Sequence, residues 1–203
     1  MRIALMMEGE TERVFLPHLR KFLEPRLKGS MPKLSPSVYD GRIPTQGTLK
    51  RRVELLLSDR KQPADAVIAL TDVYTGNREF TDAEDAKKKM RQWVGPNHKF
   101  YPHAAVHDFE AWLLPYWDDI RKLAGSNLAV PSHQPESVNH AKPPSAWLKD
   151  VFRTGAGKRS YVKTRDANRI LSDKDLTVAA NACPELKSFL NTILNLCNSA
   201  PLP

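Results

Sequence analysis

The sequence predicts an α/β fold: a mostly parallel four-stranded sheet flanked by helices, with a helical C-terminal extension. Three observations carry this. Short apolar runs alternate with amphipathic stretches over roughly the first 107 residues, as in chains that build a parallel sheet with crossover helices. The run Ala66 to Leu70 is apolar without interruption, which suits a strand covered on both faces. Beyond residue 107 the strand pattern stops and only helical periodicity continues.

The elements follow in order. RIALMM makes the first strand, and Glu10 or Thr11 then caps a helix to about Glu24 with Val14, Phe15, Leu19, Phe22 and Leu23 on one face. Pro17 should bend its second turn, because proline removes an amide donor. A Pro- and Ser-rich loop leads to a weak strand around Ser37 to Asp40. Thr48 to Arg60 makes a second helix through Leu49, Val53, Leu56 and Leu57. The strand beginning at Ala66 ends at an acid, Asp72; Asp82 to Val94 makes a third helix; Phe100 to Val106 makes the fourth strand. Asp108 is placed to cap a short helix to Leu114, and Pro115 suits the start of another to Leu123. The segment SNLAVPSHQPESVNHAKPP reads as a connector. Helices follow near Ser145 to Arg153, Val162 to Leu171 and Pro184 to Cys197. The expected division is 1–124 for the α/β part and 125–203 for the extension.

Composition narrows the function classes. With 203 residues the chain can bury a sizeable core without staples, and no apolar stretch approaches the roughly 20 residues of a membrane-spanning helix. The N-terminus turns acidic too soon for a secretory signal, so a cytoplasmic location is expected. Cys183 and Cys197 lack metal-ligand spacing and read as core thiols. A formal charge of +8 favours polyanionic partners.

Ligands of open α/β sheets gather beyond the carboxyl ends of the strands, and here three strands deliver acids to that edge. The first gives Glu8, with Glu12 one helical turn later; the third gives Asp72; the fourth gives Asp108 and Glu110. Crowded carboxylates repel unless solvated or sharing a cation, and an oxygen-only donor set suits Mg²⁺ or Mn²⁺. Such an ion at a phosphodiester would support hydrolysis. Glu10 reads more simply as a first-turn acid complementing the helix dipole.

The motifs EGETE and TDVYTG also resemble the glutamate and Asp-x-Asp motifs of a TOPRIM domain, as found in topoisomerases, bacterial primases and overcoming-lysogenization nucleases. Nearly the whole chain, including HDFEAWLL, SYVKTRDANRIL and NACPELKSFLNTIL, is similar to a bacterial TOPRIM-like family known as a domain of unknown function. The resemblance implies Glu8 as leading acid, Glu12 as its companion in the nuclease branch, and Asp72 as first acid of the pair. Tyr74 stands where the second acid belongs, and a phenol with a pKa near 10 is a poor magnesium ligand. Asp108 or Glu110 can substitute from the neighbouring strand. The resemblance further implies a Mg²⁺-dependent nuclease on DNA or RNA, working beside an ATPase in defence against foreign DNA.

A basic segment supplies the other half of a phosphate site: Lys149, Arg153, Lys158, Arg159, Lys163, Arg165 and Arg169 against only Asp150 and Asp166. Within it Lys158, Arg159, Lys163, Arg165 and Arg169 are the expected nucleic-acid contacts. TGAGKRS fails as a phosphate-binding P-loop, since Phe152 and Arg159 replace the glycine and hydroxyl residue. His103 and His107 lie on a strand, roughly 13 Å apart, and cannot share a zinc ion; His107 remains a candidate proton carrier. The aromatics of EAWLLPYW read as core. Two other classes use the same residues: a non-catalytic nucleic-acid-binding or regulatory module, and a small-molecule phosphatase, which has no use for the basic segment.

Overall fold

The computed structural model describes residues 1–39, 41–74, 79–137 and 142–203; of Glu10, Glu12 and Tyr74 only the backbone is described. The companion role of Glu12 and the replacement of an acid by the Tyr74 side chain therefore lie outside the described residues. So does Asp40, the expected end of the second strand.

Four strands form one parallel sheet in the order β2-β1-β3-β4: β1 (Arg2–Met7), β2 (Lys33–Val38), β3 (Ala66–Tyr74) and β4 (Phe100–His107). Helices α1 (Glu10–Leu23), α2 (Gln46–Leu57) and α3 (Ala83–Val94) connect them. Parallel neighbours require such crossovers. Side chains alternate between the two faces. Ile3, Leu5, Met7, Ile68 and Leu70 pack with Phe15, Leu19 and Leu23 of α1 and with the C-terminal helices. Ala4, Met6, Val67, Ala69 and Val73 pack with Leu49 and Val53 of α2 and with Ala86 and Met90 of α3.

Two strands differ from expectation. β2 starts earlier, at Lys33, and contains Pro36, which a strand at the sheet edge tolerates. β3 does not stop at Asp72; it continues to Tyr74 because Ala105, Val106 and His107 of β4 supply partners for Asp72, Val73 and Tyr74. Helix α1 runs through Pro17 with Gly9 as its N-cap.

After β4 the chain enters a 3-10 helix, Phe109–Tyr116, then α4 (Trp117–Ala124), so Pro115 falls inside the 3-10 segment instead of opening the next helix. Helices α5 (Pro144–Thr154), α6 (Lys163–Leu171), α7 (Leu176–Ala182) and α8 (Pro184–Leu196) complete the chain. The short α7 is absent from the expectations, although Asp175 announces it by accepting the amide of Thr177. Gly155 ends α5 where a side chain would collide with the carbonyl of Ala124, so α4 and α5 meet only because that residue is glycine. Phe15, Phe109, Trp112 and Phe189 pack ring to ring, joining α1, the 3-10 helix and α8 in one core. Among the described residues no helix is long and apolar enough to cross a membrane.

Candidate functional site

The sheet order places a topological switch between β1 and β3, since the chain leaves β1 toward β2 and returns to β3 on the other side. Glu8 and Asp72 flank that crevice. Met7 pairs with Leu70, which brings Glu8 beside Thr71, and the Thr71 hydroxyl donates to Glu8 Oε1. Alternation then puts Thr71 on the face of α2 and α3, and Asp72 on the opposite face with Ile68 and Leu70.

The next two acids follow the end of β4. His107 leaves the strand with φ of 65°, a left-handed conformation that turns the chain sharply before Asp108. Asp108 and Glu110 are then both buried, Glu110 with 0% exposure. Asp108 Oδ2 accepts the amide of Ser145, 3.2 Å away, in the first turn of α5. It therefore caps a distant helix instead of its own 3-10 segment, where its side chain makes no capping bond. Asp108 Oδ1 and Glu110 Oε2 have no hydrogen-bond partner among the described residues.

Lys163, the first residue of α6, completes the group. Its Nζ lies 3.2 Å from Glu110 Oε1. Its side chain is half exposed, and the partial loss of water would push the ammonium's pKa down; the carboxylates of Glu110, Asp108 and Asp72 more than reverse that and hold it above the ordinary lysine value. Glu110 is raised by burial and by the charge of Asp108, against the pull of Lys163. Asp108 is raised by burial, opposed by its bonds to Ser145 and by Lys163 and Lys149. A carboxylate kept from water, beside a second acid and one ammonium, is a typical functional arrangement.

The structure thus pairs Glu110 with Lys163, lets the charges of Asp108 and Asp72 act on the same ammonium, and holds Glu8 against Thr71. The rest of the basic segment is distributed differently. Asp166 has 0% exposure and accepts from Arg159 Nη1 at 2.7 Å and Nη2 at 3.0 Å, from Arg165 Nε at 3.0 Å and Nη2 at 3.2 Å, and from the amide of Val162 at 2.8 Å. Lys158 and Arg169 are exposed and, among the described residues, enter no ion pair. His107 is buried opposite Tyr74 in the ladder. His103 lies on the face of α8, its Nε2 3.0 Å from Thr192 Oγ1.

The sequence points to Lys163 only as one charge among seven. Its place beside Glu110 depends on α6 returning to the end of β4, which no local pattern announces.

The donor chemistry fits a hard divalent cation: oxygen ligands only, two of their buried atoms without a hydrogen bond. The site is not a finished cage, because among the described residues no three His, Cys, Asp or Glu side chains are arranged to share an ion.

The four-stranded parallel sheet in this order, with its flanking helices, is a TOPRIM-like α/β fold. The chain belongs to the family described as Domain of unknown function (DUF4276), whose profile matches residues 7–194. It is similar in structure to the C-terminal region of the Burkholderia pseudomallei OLD protein, with TM-score 0.54 and 11% identity over 97% of this chain and 98% of that one. It is also similar to the C-terminal region of the Xanthomonas campestris pv. campestris OLD protein, with TM-score 0.51 and 14% identity over 97% of this chain and 96% of that one. At these identities the likeness concerns the fold. No curated protein matches the sequence.

Proposed function

We propose that the chain is a divalent-metal-dependent phosphodiesterase that cleaves nucleic acid, DNA or RNA, with Mg²⁺ or Mn²⁺ as the ion. The observation that carries this reading is Glu110, a fully buried carboxylate paired with Lys163 at the carboxyl ends of β3 and β4, with Asp72 and Asp108 close enough to act on the same ammonium. Glu8, Asp72 and Asp108 would hold the ion, with Glu12 and Glu110 as further acids of the reaction. When bound, such an ion supplies Lewis-acid charge at the phosphate and a more acidic water. The chain's own residues do the rest. Lys163 sets a fixed positive charge where the non-bridging oxygens gain negative charge during attack at phosphorus. Glu110, with its raised pKa, is suited to accept the proton of the attacking water. Lys158 and Arg169, both exposed, meet the flanking backbone, with Arg159 and Arg165 as the further contacts expected from charge alone.

The two solved regions are each the C-terminal part of a longer protein. That supports a chain acting beside another polypeptide, an ATPase in the reading drawn from the family resemblance, and hence a part in defence against foreign DNA. The division into 1–124, a TOPRIM-like α/β domain, and 125–203, a helical extension packed on it, is retained as a proposal.

The test is incubation of the purified chain with supercoiled plasmid, single-stranded DNA and RNA in Mg²⁺ or Mn²⁺, beside Glu8→Ala, Asp72→Ala and Glu110→Gln. Cleavage by the wild type that disappears in the variants supports the reading. Salt-sensitive binding without cleavage favours the second reading, a nucleic-acid-binding or regulatory module, for which the bond that holds Glu8 to Thr71 is the specific observation.

A further inference from the structure

Asp166 is the most fully satisfied acid of the described residues near the site, and it sits three residues after Lys163 in the first turn of α6. Two guanidiniums grip it from different directions. Arg159 reaches it from the loop before α6, with its plane 4.2 Å from the ring of Phe152, which is itself stacked on Tyr161 at 5.6 Å. Arg165 reaches it from the helix, and the amide of Val162 closes the turn onto the same carboxylate. The segment 159–162 is thereby fastened to the start of α6 by three hydrogen bonds, two from Arg159 and one from the Val162 amide, and Lys163 is the next residue. Tyr161, buried between this clamp and Glu110, feels the charges of Glu110, Asp166 and Asp108 and so stays protonated.

We propose that Asp166 is the positioning residue of this site: through Arg159 and the Val162 amide it ties the loop before α6 to the helix, with Arg165 holding the same carboxylate from the helix side, so that the Lys163 ammonium stands at Glu110. This rests on the reading of Glu110 and Lys163 as the reacting pair. It assigns the two arginines a different task from the backbone contact their charge implies. Both arginines engage a buried carboxylate with two nitrogens each, and Arg159 also lies over the Phe152 ring, a geometrically demanding arrangement. A long, flexible lysine chain gains its catalytic geometry only if its backbone is fixed, since displacement by about 1 Å can cost on the order of a hundredfold in rate.

The experiment uses the full chain as Asp166→Asn, which keeps an acceptor for Val162 but removes the charge, and as Arg165→Gln, an exposed arm whose loss leaves Arg159 and Val162 in place. The first readout needs no activity: acetylation of lysines by an amine-specific reagent, followed by peptide mass spectrometry without metal or nucleic acid. Lys163 is expected to react about tenfold faster in Asp166→Asn and a few-fold faster in Arg165→Gln, with Lys158 unchanged. The second readout is kinetic, on a short oligonucleotide with Mn²⁺. Both variants are expected to lose kcat, by about 10- to 100-fold and several-fold respectively, with KM held within about twofold. Unchanged Lys163 labelling in both variants overturns the proposal. So does an Arg165→Gln variant whose KM and salt dependence rise while kcat stays level, which marks a backbone contact. If the wild type cleaves nothing, the proposed function fails, and the labelling still decides the clamp; if Asp166→Asn does not fold, Arg165→Gln carries both readouts.

Discussion

Glu110 and Asp166 are both excluded from solvent, and both face cations of the same basic segment, yet their environments drive them in opposite directions. Asp166 collects five donors, four of them from guanidiniums, and its pKa falls to about 2 although burial alone would raise it. Glu110 has one ammonium against its own desolvation and the charge of Asp108, and its pKa rises. Burial therefore does not distinguish a structural acid from a reactive one. The number and permanence of the donors does: arginine forks stay in place, whereas a single lysine leaves oxygen lone pairs available to a metal or a proton.

The largest effect expected from this contrast is on activity. Glu110→Gln should lower cleavage at least about a hundredfold while its melting temperature stays level or rises, because the change removes a like charge beside Asp108. Asp166→Ala should do the reverse to stability. Taking the acceptor from the partly buried Arg159 guanidinium and from the Val162 amide costs about 2 kcal/mol, which for a chain of this size lowers the melting temperature by roughly 4–8 °C. Calorimetry on the two variants checks both. A Glu110→Gln protein that melts as early as Asp166→Ala would erase the contrast.

The next effect is in the pH dependence. The folded pKa of Asp166 lies below the ordinary aspartate value, so its contribution is complete above about pH 4 and disappears as pH falls toward 2, an expected loss of about 2 kcal/mol seen by urea unfolding. Asp108 and Glu110 carry the opposite sign. Their raised pKa values mean that the unfolded chain releases these protons first, so stability falls as pH rises from the ordinary carboxylate range through the raised values. The same protons compete with a metal. Calorimetric binding of Mn²⁺ to the chain should weaken as pH falls at values where ordinary exposed carboxylates are still ionised. A Mn²⁺ affinity flat down to about pH 5 would show that neither acid is a ligand.

These two acids also show what was legible in the sequence and what was not. Strand ends are local: the apolar runs RIALMM and AVIAL, each followed within two residues by an acid, identify the sheet and the edge where Glu8 and Asp72 stand. The family motifs make the TOPRIM-like fold legible as well. The exact length of β3 was not, because its last pairs depend on β4, and neither was the 3-10 character of Phe109–Tyr116, which follows from how its rings pack against α1 and α8. The meeting of Lys163 with Glu110 is tertiary, set by α6 lying on α1 and the 3-10 helix, so a count of charges registers Lys163 and Arg165 alike. Asp166 reads in the sequence as one of two acids in a basic run, although an acid in the first turn of a helix, among arginines, is itself a local sign of an anchor.

The smallest expected effect separates the cations that remain. Arg159 and Arg165 are held by Asp166, whereas Lys158 and Arg169 are exposed and enter no ion pair among the described residues. If charge run and backbone contact were the same thing, all four would weaken nucleic-acid binding equally when replaced by alanine. The structure separates them: Lys158→Ala and Arg169→Ala should each reduce the slope of log affinity against log salt by about 1, measured by fluorescence anisotropy on single-stranded DNA. Arg159→Ala should instead lower the melting temperature and leave that slope unchanged, because a guanidinium already neutralised by a buried carboxylate releases few counterions. An Arg159→Ala slope that falls as much as that of Lys158→Ala would place the arginine on the nucleic acid and loosen the distinction between clamp and track.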